Sequence, residues 1–93
     1  MIQKPKGTYD VINSNYTWLI IEELFKNTCE NAGYKYIRTP IFEHSELYHR
    51  SVGETTDIIT KETYDFTDKK NRKLTLRPEL TAGIARAFIE NKL

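Results

Sequence analysis

Apolar positions first recur at helical spacing between residues 14 and 33. Trp18, Ile21, Phe25, Thr28, Cys29 and Ala32 fall on one stripe, while Glu22, Glu23, Lys26 and Glu30 take most of the rest. That period predicts an amphipathic helix with its apolar stripe buried. Asn13 or Ser14 can start it, because a side-chain oxygen there accepts free amides of the first turn. Gly33 stands where a left-handed terminator belongs. Residues 1–13, punctuated by Pro5 and Gly7, read as an extended arm.

Beyond Gly33 the pattern becomes strand-like. "YKYIRTP" predicts a strand through Tyr34, Tyr36 and Ile37, with Pro40 ending its regular pairing or placing it at an edge. "IFEHSELYHRSVG" predicts a short strand extension, a turn of helix from about Ser45, and a stop at Gly53. "ETTDIITKE" suits either a strand, from its Thr and Ile, or a charged loop over a site. "TYDFTDKKNRKLTLRP" predicts a hairpin turning at "DKKN". A last helix is expected from about Glu79 to Lys92, with Leu80, Ile84 and Phe88 spaced by four and Ala85 and Ile89 beside them. The order arm, helix, strand, hairpin, helix gives an α+β class with mainly antiparallel strands and two main helices. The first helix and the strand after it carry more apolar face than the local chain can cover, which predicts self-association.

Composition narrows this picture only a little. Ninety-three residues make one small domain or a piece of a larger one. Six Tyr, four Phe and one Trp argue for a packed core and against disorder. Fourteen basic and thirteen acidic residues leave a formal charge of +1, which demands neither a nucleic acid nor an anionic membrane. Cys29 is the single cysteine, so no disulfide forms within the chain and a reducing, cytoplasmic home is expected. Its neighbours predict an inert, buried helix position. No apolar run reaches the roughly 18 residues of a membrane span, and "MIQKPKGTYD" has no signal-type apolar core.

Candidate chemistry is sparse. His44 and His49 are five apart, with Glu43 and Glu46 near them. A metal site needs three or four converging ligands, and surface histidines on a short helix explain the spacing more simply, so no metal site is expected. There is no glycine-rich phosphate loop, Cys-x-x-Cys pair or nucleophile signature. "DKKNRK" reads as a solvated basic turn. In "TLRPELTAG", Glu79 lies at the mouth of a helix with Thr81 two positions on. The carboxylate suits the positive end of the helix dipole, and the hydroxyl can cap locally. Alternatively the two cradle an α-ammonium group through charge-assisted hydrogen bonds. Local sequence favours the cap.

Four segments together resemble one family. "KGTYDV", the helix leading into "GYKYIRTPIFE", the stretch "LYHRSVGETTDIITKETYDFTD" and "LTLRPELTAGIARAFIE" are similar to the N-terminal part of the catalytic domain of the histidyl-tRNA synthetase family, which belongs to class II. The match runs over almost all of residues 4–91. It implies a partial class II catalytic fold across 1–93, with motif 1 at about 14–41 and a hairpin plus histidine-binding loop at about 62–81. Glu79 and Thr81 would hold the α-amino group of histidine, with Arg77 and Pro78 shaping their loop. Motif 1 would supply a homodimer interface through Trp18, Ile21, Phe25, Tyr36 and Pro40.

The family uses ATP and Mg²⁺ to form histidyl-adenylate, then transfers histidine to tRNA(His), in the cytoplasm and without a membrane. The arginines that stabilise the α-phosphate belong to segments outside these residues, so no catalytic residue is expected here and the 93 residues alone should be inactive. One departure stands out. Leu80 occupies a position where the family usually has glycine, and a leucine resists an unusual backbone path. Its spacing with Ile84 predicts that it points into the core. The regulatory subunit of ATP phosphoribosyltransferase resembles the same domain and is the alternative reading, a binding module that charges no tRNA. A self-associating piece without ligand function is the third.

Overall fold

The computed structural model describes residues 1–13, 15–50 and 62–93. The Ser14 start, the Gly53 stop and the "ETTDIIT" stretch therefore lie outside the described residues. Two compact units are present, residues 1–36 and 37–93.

The first unit is an arm and one helix, α1 (Asn15–Asn31). Its end matches the sequence reading. Gly33 takes φ +91°, where a Cβ is disfavoured. The Tyr34 amide donates to Cys29 O at 2.9 Å and the Gly33 amide to Glu30 O at 3.0 Å, the paired closure of a Schellman end. The expected burial of the apolar stripe is overturned. Trp18 is 44% exposed and Phe25 71%, and Ile21, Leu24 and Tyr36 are exposed as well. Cys29 is half-buried rather than buried. The period of a helix records which residues share a face; it does not record whether this chain contains the cover.

The expected strand at Tyr34–Ile37 is also absent. Residues 34–40 are irregular, and the chain enters a strand only after Pro40, which lacks an amide to donate to a ladder. In the second unit β1 (Phe42–His44) runs directly into the short helix α2 (Ser45–Arg50), as the sequence predicts. The hairpin follows as β2 (Asp65–Thr67) and β3 (Lys73–Leu76). Its turn is set by Asp68, whose Oδ1 accepts the amides of Lys70 and Arg72, both at 2.9 Å. Asn71 takes the left-handed conformation, φ 64°, which asparagine tolerates. The sheet is antiparallel in the order β1-β3-β2. Glu43 pairs with Thr75 and Thr75 with Asp65, so these three form one row across a single face. Phe42 and Phe66 flank the other face and meet edge to face at 5.9 Å.

The last helix, α3 (Thr81–Glu90), is shorter at both ends than the sequence predicts. It also buries an unexpected face. Gly83 and Ala87 are buried, while Leu80, Ile84, Phe88 and Ile89 are exposed. Close approach explains this. A Cβ on Gly83 would lie 3.1 Å from Glu43 Oε2 and 3.4 Å from Thr39 Oγ1. Small residues let the helix come down onto β1, and the large apolar row is left outside. The core of this unit is Tyr48, Leu74 and Ala87, with Thr39, Glu43 and Thr75 buried among the polar residues. Among the described residues no helix is long and apolar enough to cross a membrane.

Candidate functional site

Arg77 leaves β3 and is fixed twice to the chain before β1. Its amide donates to Ile41 O at 2.9 Å, and its Nη1 to Thr39 O at 3.1 Å. Pro78 follows, and Glu79 then turns its carboxylate onto the start of α3. Oε2 accepts the Thr81 amide at 2.6 Å and Oε1 the Ala82 amide at 3.0 Å. Two otherwise orphaned helix donors are thereby satisfied. The Ala82 amide first, and then Thr81, hold the Glu79 carboxyl below the usual carboxylate range. It is therefore an anion at neutral pH. Each carboxylate oxygen has room for a second donor, and Glu79 and Thr81 both face solvent. The carboxylate part of the cap expected from local sequence is present, and it leaves acceptor capacity free for an ammonium group.

Leu80 does not point into the core. It is 54% exposed. Its backbone sits at φ −100°, ψ −22°, a conformation open to any L-residue. Nothing at this position requires glycine, so the leucine is accommodated without strain.

A buried polar group lies between β1 and α3. Glu43, 7% exposed, places Oε1 2.8 Å from Arg86 Nε on α3. Arg86 Nη1 also bonds Glu90 at 2.6 Å. Glu43, and then Glu90, push the guanidinium above its ordinary value against the effect of burial. Tyr48 lies in the same neighbourhood, 4% exposed. Burial pushes its hydroxyl up, and the charges of Glu43 and Glu79 add to this. Neither Glu43 Oε2 nor the Tyr48 hydroxyl has a hydrogen-bond partner among the described residues. Sequence reasoning missed this cluster. The signal was available as a lone acid inside a three-residue strand, with an arginine on the small-residue face of α3.

The two histidines are not both helix-surface residues. His44 ends β1 and is exposed. His49, on α2, is half-buried with Nε2 3.6 Å from Asp65 Oδ1, beyond hydrogen-bond length. It lines a cleft of about 400 Å³ with Ser45, Glu46, Asp65 and Lys73 among others. Behind that cleft Thr75, fully buried, donates to Asp65 Oδ1 at 2.6 Å and bonds Ser45 Oγ at 2.7 Å. Thr75 first, then Thr63, hold the Asp65 carboxyl below its ordinary range. Since Thr75 donates to Asp65, Ser45 must donate to Thr75, so its oxygen has no base to activate it as a nucleophile. Among the described residues no three His, Cys, Asp or Glu side chains are grouped to hold a metal ion.

Comparison with known proteins gives a consistent result. The family model described as histidyl-tRNA synthetase matches residues 19–92. A histidine–tRNA ligase from Listeria monocytogenes is 54% identical over 93 residues, covering 99% of this chain and 22% of that protein. The Bacillus subtilis ligase is 54% identical over 90 residues, covering 96% and 21%. The solved structure of apo S. aureus histidyl-tRNA synthetase superposes with a TM-score of 0.79 at 39% identity, over 99% of this chain and 24% of that one. An ATP phosphoribosyltransferase regulatory subunit/histidyl-tRNA synthetase from Bacillus halodurans C reaches 0.69 at 28% identity, over 100% and 24%. The chain thus spans about a fifth of the length of the curated relatives it matches. With a family model over most of its length and the partial α+β architecture of a solved member, the chain belongs to the histidyl-tRNA synthetase family.

Proposed function

We propose that these residues serve a longer protein that attaches histidine to tRNA(His) using ATP and Mg²⁺. Within it, Glu79 and Thr81 hold the α-amino group of histidine. The observation that carries this reading is the Glu79 carboxylate, kept ionised by two backbone amides at 2.6 and 3.0 Å yet still open to solvent. Arg77 fixes the strand side of the loop and Pro78 sets its turn. Binding an ammonium at a preformed anion costs little reorganisation. In this reading charge stabilisation at the α-phosphate comes from other segments of the longer protein, and the 93 residues alone are expected to be inactive.

The exposed apolar residues of α1 and the segment after it, namely Trp18, Ile21, Phe25, Tyr36 and Pro40, are the dimer contact in this reading. Their exposure supports it. The regulatory-subunit alternative draws on a structural relative at 28% identity, against 54% for the Listeria monocytogenes ligase. The ligase reading is therefore preferred, with a cytoplasmic site of action.

Histidine-dependent pyrophosphate exchange by the full-length protein tests the site. Glu79→Gln removes the charge and keeps the shape. Loss of one charged hydrogen bond should weaken histidine binding by about 1.5–3 kcal/mol. Unchanged histidine affinity would remove Glu79 from the site.

A further inference from the structure

We propose that Glu43 is a positioning residue for Glu79, acting through Arg86 and helix α3, and that Gly83 provides the clearance this requires. The inference rests on the histidine-binding reading of Glu79 and adds a determinant two elements away from it.

The chain of contacts is short. Glu79 finds its place from the Thr81 and Ala82 amides, so it goes where the first turn of α3 goes. The helix is tied to the sheet by a charged contact, Glu43 Oε1 to Arg86 Nε at 2.8 Å. That contact lies one turn beyond Ala82. On the strand side, Arg77 is bound to Thr39 and Ile41, just ahead of β1. The five residues from Thr39 to Glu43 therefore anchor both ends of the Arg77–Thr81 loop.

A buried carboxylate is costly unless it is paired, and here it is paired across to the helix rather than along the sheet. Gly83 completes the arrangement. A Cβ there would stand 3.1 Å from Glu43 Oε2, so a side chain would require the carboxylate or the helix to give by a few tenths of an ångström. Glycine inside a helix is otherwise unfavourable, and the close approach accounts for it.

The test uses the full-length protein and pyrophosphate exchange, with histidine and ATP varied separately. Glu43→Gln should raise the KM for histidine about tenfold while the KM for ATP stays within about twofold. Gly83→Ala should act in the same direction. The double variant Glu43→Gln/Arg86→Gln should be no worse than the poorer single one, since both act through one contact. Unchanged histidine KM in Glu43→Gln and Gly83→Ala overturns the proposal. So does a parallel rise in both KM values, which would mean general disruption, and so does full additivity in the double variant. Glu79→Gln is the control. If it leaves histidine KM unchanged, the histidine-binding reading fails by itself. Hydrogen exchange at the Thr81 and Ala82 amides then still decides the positioning claim, which requires faster exchange in Glu43→Gln and is sunk by equal rates.

Discussion

Thr75→Val isolates the hydroxyl at the centre of the sheet. Valine keeps the size and the β-branch and removes only the group that donates to Asp65 at 2.6 Å and bonds Ser45 at 2.7 Å. The first bond is charge-assisted and worth about 1.5–3 kcal/mol, and the second is neutral and worth about 0.5–1.5 kcal/mol. Asp65 is about one-third exposed and keeps Thr63 as a partner at 3.2 Å, so water and Thr63 recover part of the loss. A net cost of about 2 kcal/mol at pH 6 follows, or about thirtyfold in local opening.

The pH dependence has a definite sign. The folded carboxyl of Asp65 is depressed, chiefly by Thr75. Its contribution is present above the unfolded value, near 3.8, and is lost as pH falls through the lower folded value. The gap between wild type and variant should therefore narrow below about pH 4. Hydrogen exchange of the Leu76 amide, which bonds Tyr64 O at 3.0 Å, reads this out in the intact protein. Equal exchange at pH 6, or a gap that widens in acid, would refute the assignment.

Gly33→Ala forces a Cβ into φ +91° and should loosen the end of α1 by about 1 kcal/mol, visible as faster exchange of the Tyr34 amide. Asp68→Ala removes the acceptor of two turn amides and of Arg72 Nε; chemical-shift dispersion at Lys70–Arg72 should collapse while the β1–β3 amides hold. Trp18→Glu with Phe25→Glu places charges on the exposed face of α1; sedimentation of the full-length protein should show dissociation towards monomer, and an unchanged dimer would remove α1 from the interface. Acidification should release the Glu79 cap, because a depressed carboxyl contributes above its unfolded value and loses that contribution as pH falls; the Ala82 amide should exchange relatively faster below about pH 4 in wild type, and Glu79→Gln should show no such step.

What the sequence made legible was mostly local. Gly33, the strand-to-helix passage at Ser45 and the turn at Asp68 each depend on a few neighbouring residues, and each is where the pattern put it. Glu79 and Thr81 are at the head of α3 for the same reason. Failures came where a distant partner decides. Tyr34, Tyr36 and Ile37 have strand-forming side chains but pair with no strand among the described residues, so β propensity alone did not make a strand of them. Leu80, Ile84 and Phe88 have the right spacing for burial, yet the sheet is approached by Gly83 and Ala87. Size alone points to the wrong face of that helix, since a small residue permits contact where a large one prevents it. Glu43 was passed over because a buried acid reads as a surface one until Arg86 is seen beside it.

The strand order has a consequence for synthesis of the protein. β3 is central in space but last in sequence, so β1 and β2 both leave the ribosome before the strand that joins them exists. Until Leu76 emerges, β1 has both edges open and α1 already presents Trp18 and Phe25 to solvent. An unpaired strand edge and exposed aromatic surface are each substrates for nascent-chain chaperones. A ribosome stalled before Lys73 should therefore hold an aggregation-prone chain, and one stalled well after Leu76 a chain with its three-stranded sheet closed.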